Sequence, residues 1–332
     1  MKSVLIRVTL ADGSRGFGEV PTSHAMPAET PAAIGDLLGE IIPSLRGADA
    51  GEYEQITDRL RRRFRGFAMT LSGLETALFR AYLASSGLSE HAYWGGKALS
   101  LETDITIPIT GDPLRLRQWV EYTARKGFRI YKVKMSGIVD ADKESLSRVT
   151  ECLEEQGRPY ILRLDGNQGY SAASYRAMVS FLEKRAFPVE CFEQPLPKAD
   201  FRGFKEIRKE RAVPVVLDES VISSEDLKRG IGDDLCDGVN IKVAKSGISE
   251  SRRIYEMAKK CGLKVMAGCM IETMVGLSGG IYFAAGTGGV DFIDLDAIHF
   301  LYHKHRYGTV TVDSLWYHIG TETAQAPPSQ SS

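Results

Sequence analysis

The sequence is short of four things. It has no apolar run long enough to cross a bilayer and no cationic, apolar leader behind Met1, so neither a membrane span nor a secretory signal is predicted. It has five cysteines, Cys152, Cys191, Cys236, Cys261 and Cys269, an odd number, widely spaced and without a CxxC pair. That predicts buried thiols in a reduced, cytoplasmic chain and excludes a disulfide framework. It has no basic excess: 42 Lys and Arg against 43 Asp and Glu give a net charge of −1, the wrong balance for a nucleic-acid partner. Nor does any GxGxxG or P-loop follow an early strand, which disfavours an open doubly wound sheet built around a nucleotide.

What is present is ordinary globular material, 332 residues with 43% hydrophobic and 26% charged side chains. Residues 1–98 read as an α+β unit. "SVLIRVTLADGSRGFGEV" is two strands around an Ala-Asp-Gly-Ser turn, followed by helical patterns in "ETPAAIGDLLGEIIPSL", "GEYEQITDRLRRRF" and "AMTLSGLETALFRAYLASSG". From Asp104 the rhythm changes. Eight short apolar runs recur, "DITIPI", "RIYKVKM", "YILRLDGN", "VECFEQP", "VPVVLDES", "GVNIKV", "KVMAGCM" and "FIDLDA", alternating with amphipathic stretches. This predicts a (β/α)8 barrel over residues 99–308. Residues 309–323 are expected to return to the first unit, and the polar, Pro/Ser-rich 324–332 to be disordered.

The barrel runs carry charge where a buried strand should not. Lys132 and Lys134 are two apart in "RIYKVKMSG" and so share a face. Burying one ammonium is costly, and burying two together costs more. The next three runs end in "LDGN", "CFEQP" and "LDES", each placing one acid, Asp165, Glu193 and Asp218, at a strand's carboxyl end, the active-site face of a barrel. One such acid is an ordinary loop start or helix cap. Three on successive strands repel each other unless a cation sits among them, and all-oxygen ligands suit Mg²⁺, with Mn²⁺ as a substitute. Lys242, in "GVNIKVAKSG", falls on the sixth strand, opposite the second in a closed eight-stranded barrel. A substrate carboxylate at the metal would make the adjacent carbon acidic. One lysine wall could then take its proton and the other return one, inverting the stereocentre. A neighbouring ammonium and desolvation should favour neutral Lys134, while nearby carboxylates oppose this.

Taken together, "YKVKM", "LDGNQGY", "FEQP", "LDES" and "NIKVAKSG" resemble the enolase superfamily in its muconate-lactonising subgroup, and the resemblance runs over nearly the whole chain. It implies a capping domain followed by the barrel, metal ligands Asp165, Glu193 and Asp218, an acid/base pair Lys134 and Lys242, and Lys132 tuning Lys134 and the enolate. "FIDLDAIHF" places Asp294 and Asp296 on one face, similar to the Asp-x-Asp with which dipeptide epimerases hold a substrate's α-ammonium. "GCMIETMVGLSGG" is similar to that family's seventh-strand segment, with Glu272 near the site. Asn240 shares a face with Lys242 and is expected to be a hydrogen-bond donor at the substrate site, and Asn167 is similar relative to Asp165. The resemblance implies Mg²⁺-dependent inversion of the C-terminal residue of a dipeptide, L-Ala-L-Glu by default, in a homo-oligomer without nucleic-acid or membrane partners. The rivals are an o-succinylbenzoate synthase, a muconate cycloisomerase, an N-acyl amino acid racemase, and a non-catalytic binding protein on the same scaffold.

Two departures from the family pattern stand out. The first strand and mobile loop usual in these enzymes would precede Met1, so a natural reading frame some 20–35 residues longer is expected on the length of one strand and a loop. "KSGIS" stands where paired glycines are common, and Ile248 is expected to alter a loop after the sixth strand. His299, His303 and His305 read as surface or capping-domain contacts, and Arg61, Arg62 and Arg63 as a solvated helix face.

Overall fold

The computed structural model describes residues 2–24, 26–302 and 306–320. β1 (Ser3–Thr9) and β2 (Arg15–Pro21) form an antiparallel hairpin across the expected Asp-Gly turn. α1 (Pro31–Leu45), α2 (Tyr53–Arg63), α3 (Ala68–Ser86) and the short α4 (Glu90–Tyr93) follow. α1 starts where the Thr30 side chain accepts from Ala33 N and Pro31 supplies a helix-ready φ. The hairpin packs on α3 at very short range. A Cβ on Gly18 would press into the carbonyl of Gly73, and one on Gly16 into that of Ala77. Glycine weakens a strand in general, and here it is the condition for the two backbones to touch.

β3 (Ser100–Glu102) leads into the second unit. There β4 (Ile105–Ile107), α5 (Pro113–Arg125), β5 (Ile130–Lys134), α6 (Val139–Glu154), β6 (Ile161–Asp165) and α7 (Ala172–Arg185) alternate. They continue as β7 (Val189–Glu193), α8 (Phe201–Glu210), β8 (Val215–Leu217), α9 (Ser224–Gly232), β9 (Gly238–Ile241) and α10 (Val243–Lys260). The series ends with β10 (Lys264–Gly268), α11 (Met274–Thr287) and β11 (Phe292–Asp294). Every one of the eight expected runs is a strand, and β4 to β11 form one eight-stranded parallel sheet in chain order. Tyr131, Val133, Leu162, Leu164 and Val239 are buried within it, each aliphatic chain worth roughly 1.5–3 kcal/mol on burial.

Among the described residues β11 and β4 share no ladder, so the sheet is nearly closed, and the seam is stitched singly. Asp104 N donates to Ile293 O at 3.2 Å, Leu295 N to Thr103 Oγ1 at 2.9 Å, and Thr106 N to Asp296 Oδ2 at 2.6 Å. Buried Arg163, on β6, spans both sides of the seam, with Nη1 2.9 Å from Asp104 Oδ2 and 2.9 Å from Ile293 O.

Ahead of residue 309, Tyr307 lies edge-on to Phe17 and under the Arg80 guanidinium, both of the capping unit. The hairpin β12 (Val310–Asp313) and β13 (Trp316–Ile319) pairs with β3, just ahead of the first barrel strand in the chain. The expected disordered tail lies outside the described residues. Among those described, no helix is long and apolar enough to cross a membrane.

Four expectations are corrected. Arg61 is not solvated: its Nη2 reaches Glu75 at 3.0 Å and Ser246 O at 2.6 Å, joining α2 to the barrel, while Arg62 and Arg63 are exposed. "KSGIS" is no loop, because the chain turns straight into α10, kinked at Gly247 (φ 75°), and Ile248 is fully buried. Of the five thiols, Cys152, Cys191 and Cys236 are buried, but Cys261 is exposed and Cys269 half-buried. His299 is half-buried with its ring edge-on to Phe128, a barrel contact, and His303 and His305 lie outside the described residues.

Candidate active site

Register does the first part of the assembly. Lys134 lies beside Asp165 and Asp165 beside Glu193 at the carboxyl ends of β5, β6 and β7, and Asp218 and Lys242 stand one residue past β8 and β9. Lys132, one pleat below Lys134, is buried. Its Nζ is 3.1 Å from Asp165 Oδ2, 2.7 Å from Glu193 Oε2 and 2.7 Å from Asp294 Oδ2. Burial disfavours the ammonium, but these carboxylates outweigh it and hold Lys132 charged, well above the usual lysine range. Lys134, half-buried, reaches Asp165 Oδ2 at 2.6 Å and Asn167 Oδ1 at 3.1 Å, so the two lysines meet through one oxygen.

The three strand-end acids differ in electrostatics. Burial raises Asp165, but Lys132, Lys134 and Lys242 more than reverse this and hold it far below the carboxylate range. Asp218 is likewise held low against burial, by Lys242 and Lys245. Glu193 goes the other way, pushed up to about 8 by burial and by Asp165. Its Oε1 accepts from Asn240 Nδ2 at 2.8 Å, while its buried Oε2 faces Lys132 without an aligned hydrogen bond. Lys242 Nζ is 2.7 Å from Asp218 Oδ2 and 4.0 Å from Glu193 Oε1. Burial disfavours this ammonium, yet Asp218 and Glu193 outweigh it and hold Lys242 above the usual lysine range.

Asp294 and Asp296 stand together with Asp104, their carboxylate oxygens within 4.8 Å of one another. Asp294 is bound to Lys132, and Asp296 to the Thr106 amide across the seam. Burial and Asp294 push Asp296 up to about 6. Glu272 is the expected residue that the others do not touch. Its Oε1 takes Met270 N at 2.8 Å, and burial and Glu19 push it up to about 8.

Several residues were not singled out from the sequence. Lys245 is buried, with Nζ 2.6 Å from Asp218 Oδ1; its spacing from Lys242, three residues at a helix start, was the available signal. Gln194, of "FEQP", is fully buried with φ 33° and accepts from Asp218 N at 2.8 Å and Ser220 N at 3.2 Å. Glu219 is half-buried beside Asp218 and raised by burial and then by Asp218. Glu19 reaches over from β2 to accept from Thr273 N, Thr273 Oγ1 and Gly276 N at the start of α11. No spacing in the sequence announces that last contact.

A parallel eight-stranded barrel, a small capping unit and acids and lysines gathered at the strand ends define the class. Residues 115–321 match the Enolase C-terminal domain-like family, and the chain belongs to it and so to the enolase superfamily. It is 31% identical over 299 residues to the aromatic dipeptide epimerase of Herpetosiphon aurantiacus, covering 90% of this chain and 83% of that relative. It is 30% identical to the L-Ala-D/L-Glu epimerase of Thermotoga maritima over 89% of this chain and 84% of the relative. The structure of a substrate-liganded complex of the L-Ala-D/L-Glu epimerase from Bacillus subtilis superposes with a TM-score of 0.91 at 26% identity, covering 99% of this chain and 92% of that one. These relatives place the chain among the isomerases of the superfamily, with its likeness running to the dipeptide epimerases.

Proposed function

We propose that the protein inverts the α-carbon of the C-terminal residue of a dipeptide, with Lys134 and Lys242 moving the proton. The observation that carries this reading is the pair of lysine walls, on the second and sixth barrel strands, flanking carboxylates at the ends of the third, fourth and fifth. A carbon held between them meets one amine on each face. Removal of its proton from one side and return from the other changes its hand.

The residues fit a divalent cation. Asp165, Glu193 and Asp218 offer only hard oxygens, and Glu193 Oε2 is buried without an aligned donor. Mg²⁺ held by Asp165, Glu193 and Asp218 would supply a Lewis acid for the substrate carboxylate and take up the negative charge that now keeps Lys242 protonated. Lys132, fixed by carboxylates of three other strands, stays charged and stabilises negative charge developing beside it. Asp294 and Asp296 receive the substrate's α-ammonium, since an arriving cation lowers Asp296 back to an ordinary carboxylate. A lyase substrate carries no ammonium and would bring these two acids no cation of its own.

The test is α-proton exchange in D₂O, followed by NMR on each epimer separately. Lys134→Ala and Lys242→Ala each abolish interconversion, and each variant retains exchange only for the epimer presenting its hydrogen to the surviving lysine. Interconversion at the parent rate in either variant would overturn the two-base reading.

A further inference from the structure

Asp218 has three of its four polar atoms held by groups outside the lysine pair, and the fourth by Lys242. Its backbone amide donates to Gln194 Oε1 at 2.8 Å. Its carbonyl oxygen and its Oδ1 accept from a single ammonium, Lys245 Nζ, at 2.5 and 2.6 Å. Oδ2 is left to Lys242, 2.7 Å away, on the site side of the acid's other contacts. Lys245 is 1% exposed, so the chain buries a lysine head group behind a strand-end acid, an arrangement that holds only where its partners pair it closely. One cation bridging a residue's own carbonyl and carboxylate fixes the side-chain torsion and decides which oxygen faces outward. Both acceptors of the Lys245 ammonium belong to Asp218, so it acts through that residue.

We propose that Lys245 is a positioning residue that presets Asp218 as a one-oxygen ligand for the divalent cation, an inference that rests on the metal reading above. The torsional freedom Asp218 would otherwise lose on binding is removed in advance, and the affinity gain follows from that. Lys245 is anchored in turn by the capping unit, since Arg61 holds the Ser246 carbonyl and Glu75 accepts from Ser249 one turn further on.

The experiment titrates Mn²⁺ into the full chain and follows the free ion by EPR, for the parent, Lys245→Met and Lys245→Gln, with turnover measured across the same metal concentrations. The expected result is Mn²⁺ affinity weakened about ten- to a hundredfold in Lys245→Met, less in Lys245→Gln, whose amide still donates, with turnover recovering to within a few-fold of the parent at saturating Mn²⁺. Parent that binds no Mn²⁺ overturns the metal reading itself. Parent that binds, beside Lys245→Met binding within twofold, overturns the role of Lys245 alone. Turnover lowered equally at every metal concentration, or loss of fold in both variants by circular dichroism, assigns Lys245 to structure only and overturns the proposal too.

Discussion

The ammonium of Lys132, on the second barrel strand, lies 2.7 Å from Oδ2 of Asp294, on the eighth. The contact ties the lysine wall to the acids proposed to receive the substrate's amine. Charge on Asp294 therefore serves two neighbours at once. Asp294→Asn is expected to raise KM for dipeptides with a free amine about ten- to a hundredfold, because a charge-assisted hydrogen bond is worth roughly 1.5–3 kcal/mol. N-acetylated dipeptides should be poor substrates for the parent. Equal turnover of acetylated and free dipeptides would favour an N-acyl amino acid racemase.

Chelation should remove activity, and Mg²⁺ or Mn²⁺ should restore it, since Asp165, Glu193 and Asp218 offer only hard oxygens. Dialysis against EDTA followed by back-titration gives the answer; full activity in excess chelator would sink the assignment of this triad.

Glu272 makes stability depend on pH. Its ordinary value of 4.5 is pushed up to about 8 in the fold by burial and Glu19. Below pH 4.5 the carboxyl is protonated whether folded or not, and nothing is lost. Between 4.5 and about 8 the unfolded chain ionises while the folded one keeps its proton, so stability falls as pH rises, and above 8 the whole loss is present. Glu272→Gln retains the acceptor for Met270 N and removes this residue's share of the fall. The variant should gain on the parent by a few kcal/mol, at the ~1.4 kcal/mol per pKa unit of linkage, between pH 5 and pH 9. Melting curves at the two pH values decide it, and an unchanged difference between variant and parent refutes the linkage.

Gly247 should tolerate nothing larger. Its φ of 75° disfavours any side chain, and a Cβ there would run into Glu75 Oε2 and Arg61 Nη2. Gly247→Ala is expected to cost roughly 2–4 kcal/mol, combining backbone strain with the loss of a buried ion pair. A urea midpoint within error of the parent's would show that the Arg61–Glu75 pair gives way freely.

Much of this arrangement is legible in the sequence because the fold and the site share one signal. A strand of a buried parallel sheet is uniformly apolar, so Lys132, Asp165, Glu193 and Lys242 announce themselves by interrupting such runs. Lys245 does not interrupt anything. At the start of an amphipathic helix it reads as a solvated lysine, and only the approach of Asp218 from the neighbouring strand makes it a buried one. Arg61 was obscured in the same way by Arg62 and Arg63, which are exposed as a basic run usually is. Asp104 and Arg163 pair across 59 positions of sequence, and no local pattern encodes that distance.

The seam between the last barrel strand and the first bears on how this scaffold can be altered. Asp296 holds the Thr106 amide there at 2.6 Å, so one carboxylate helps shut the barrel and stands among the acids proposed for recognition. A mutagenesis library at that position would be filtered first by whether the cylinder still closes, and only the survivors would be sampled for altered preference. Variation at Asp294, whose described partner is a side chain and not the backbone, escapes that filter. Laboratory evolution toward other amine-bearing substrates should therefore accumulate changes at 294 and in the surrounding loops well before it touches 296.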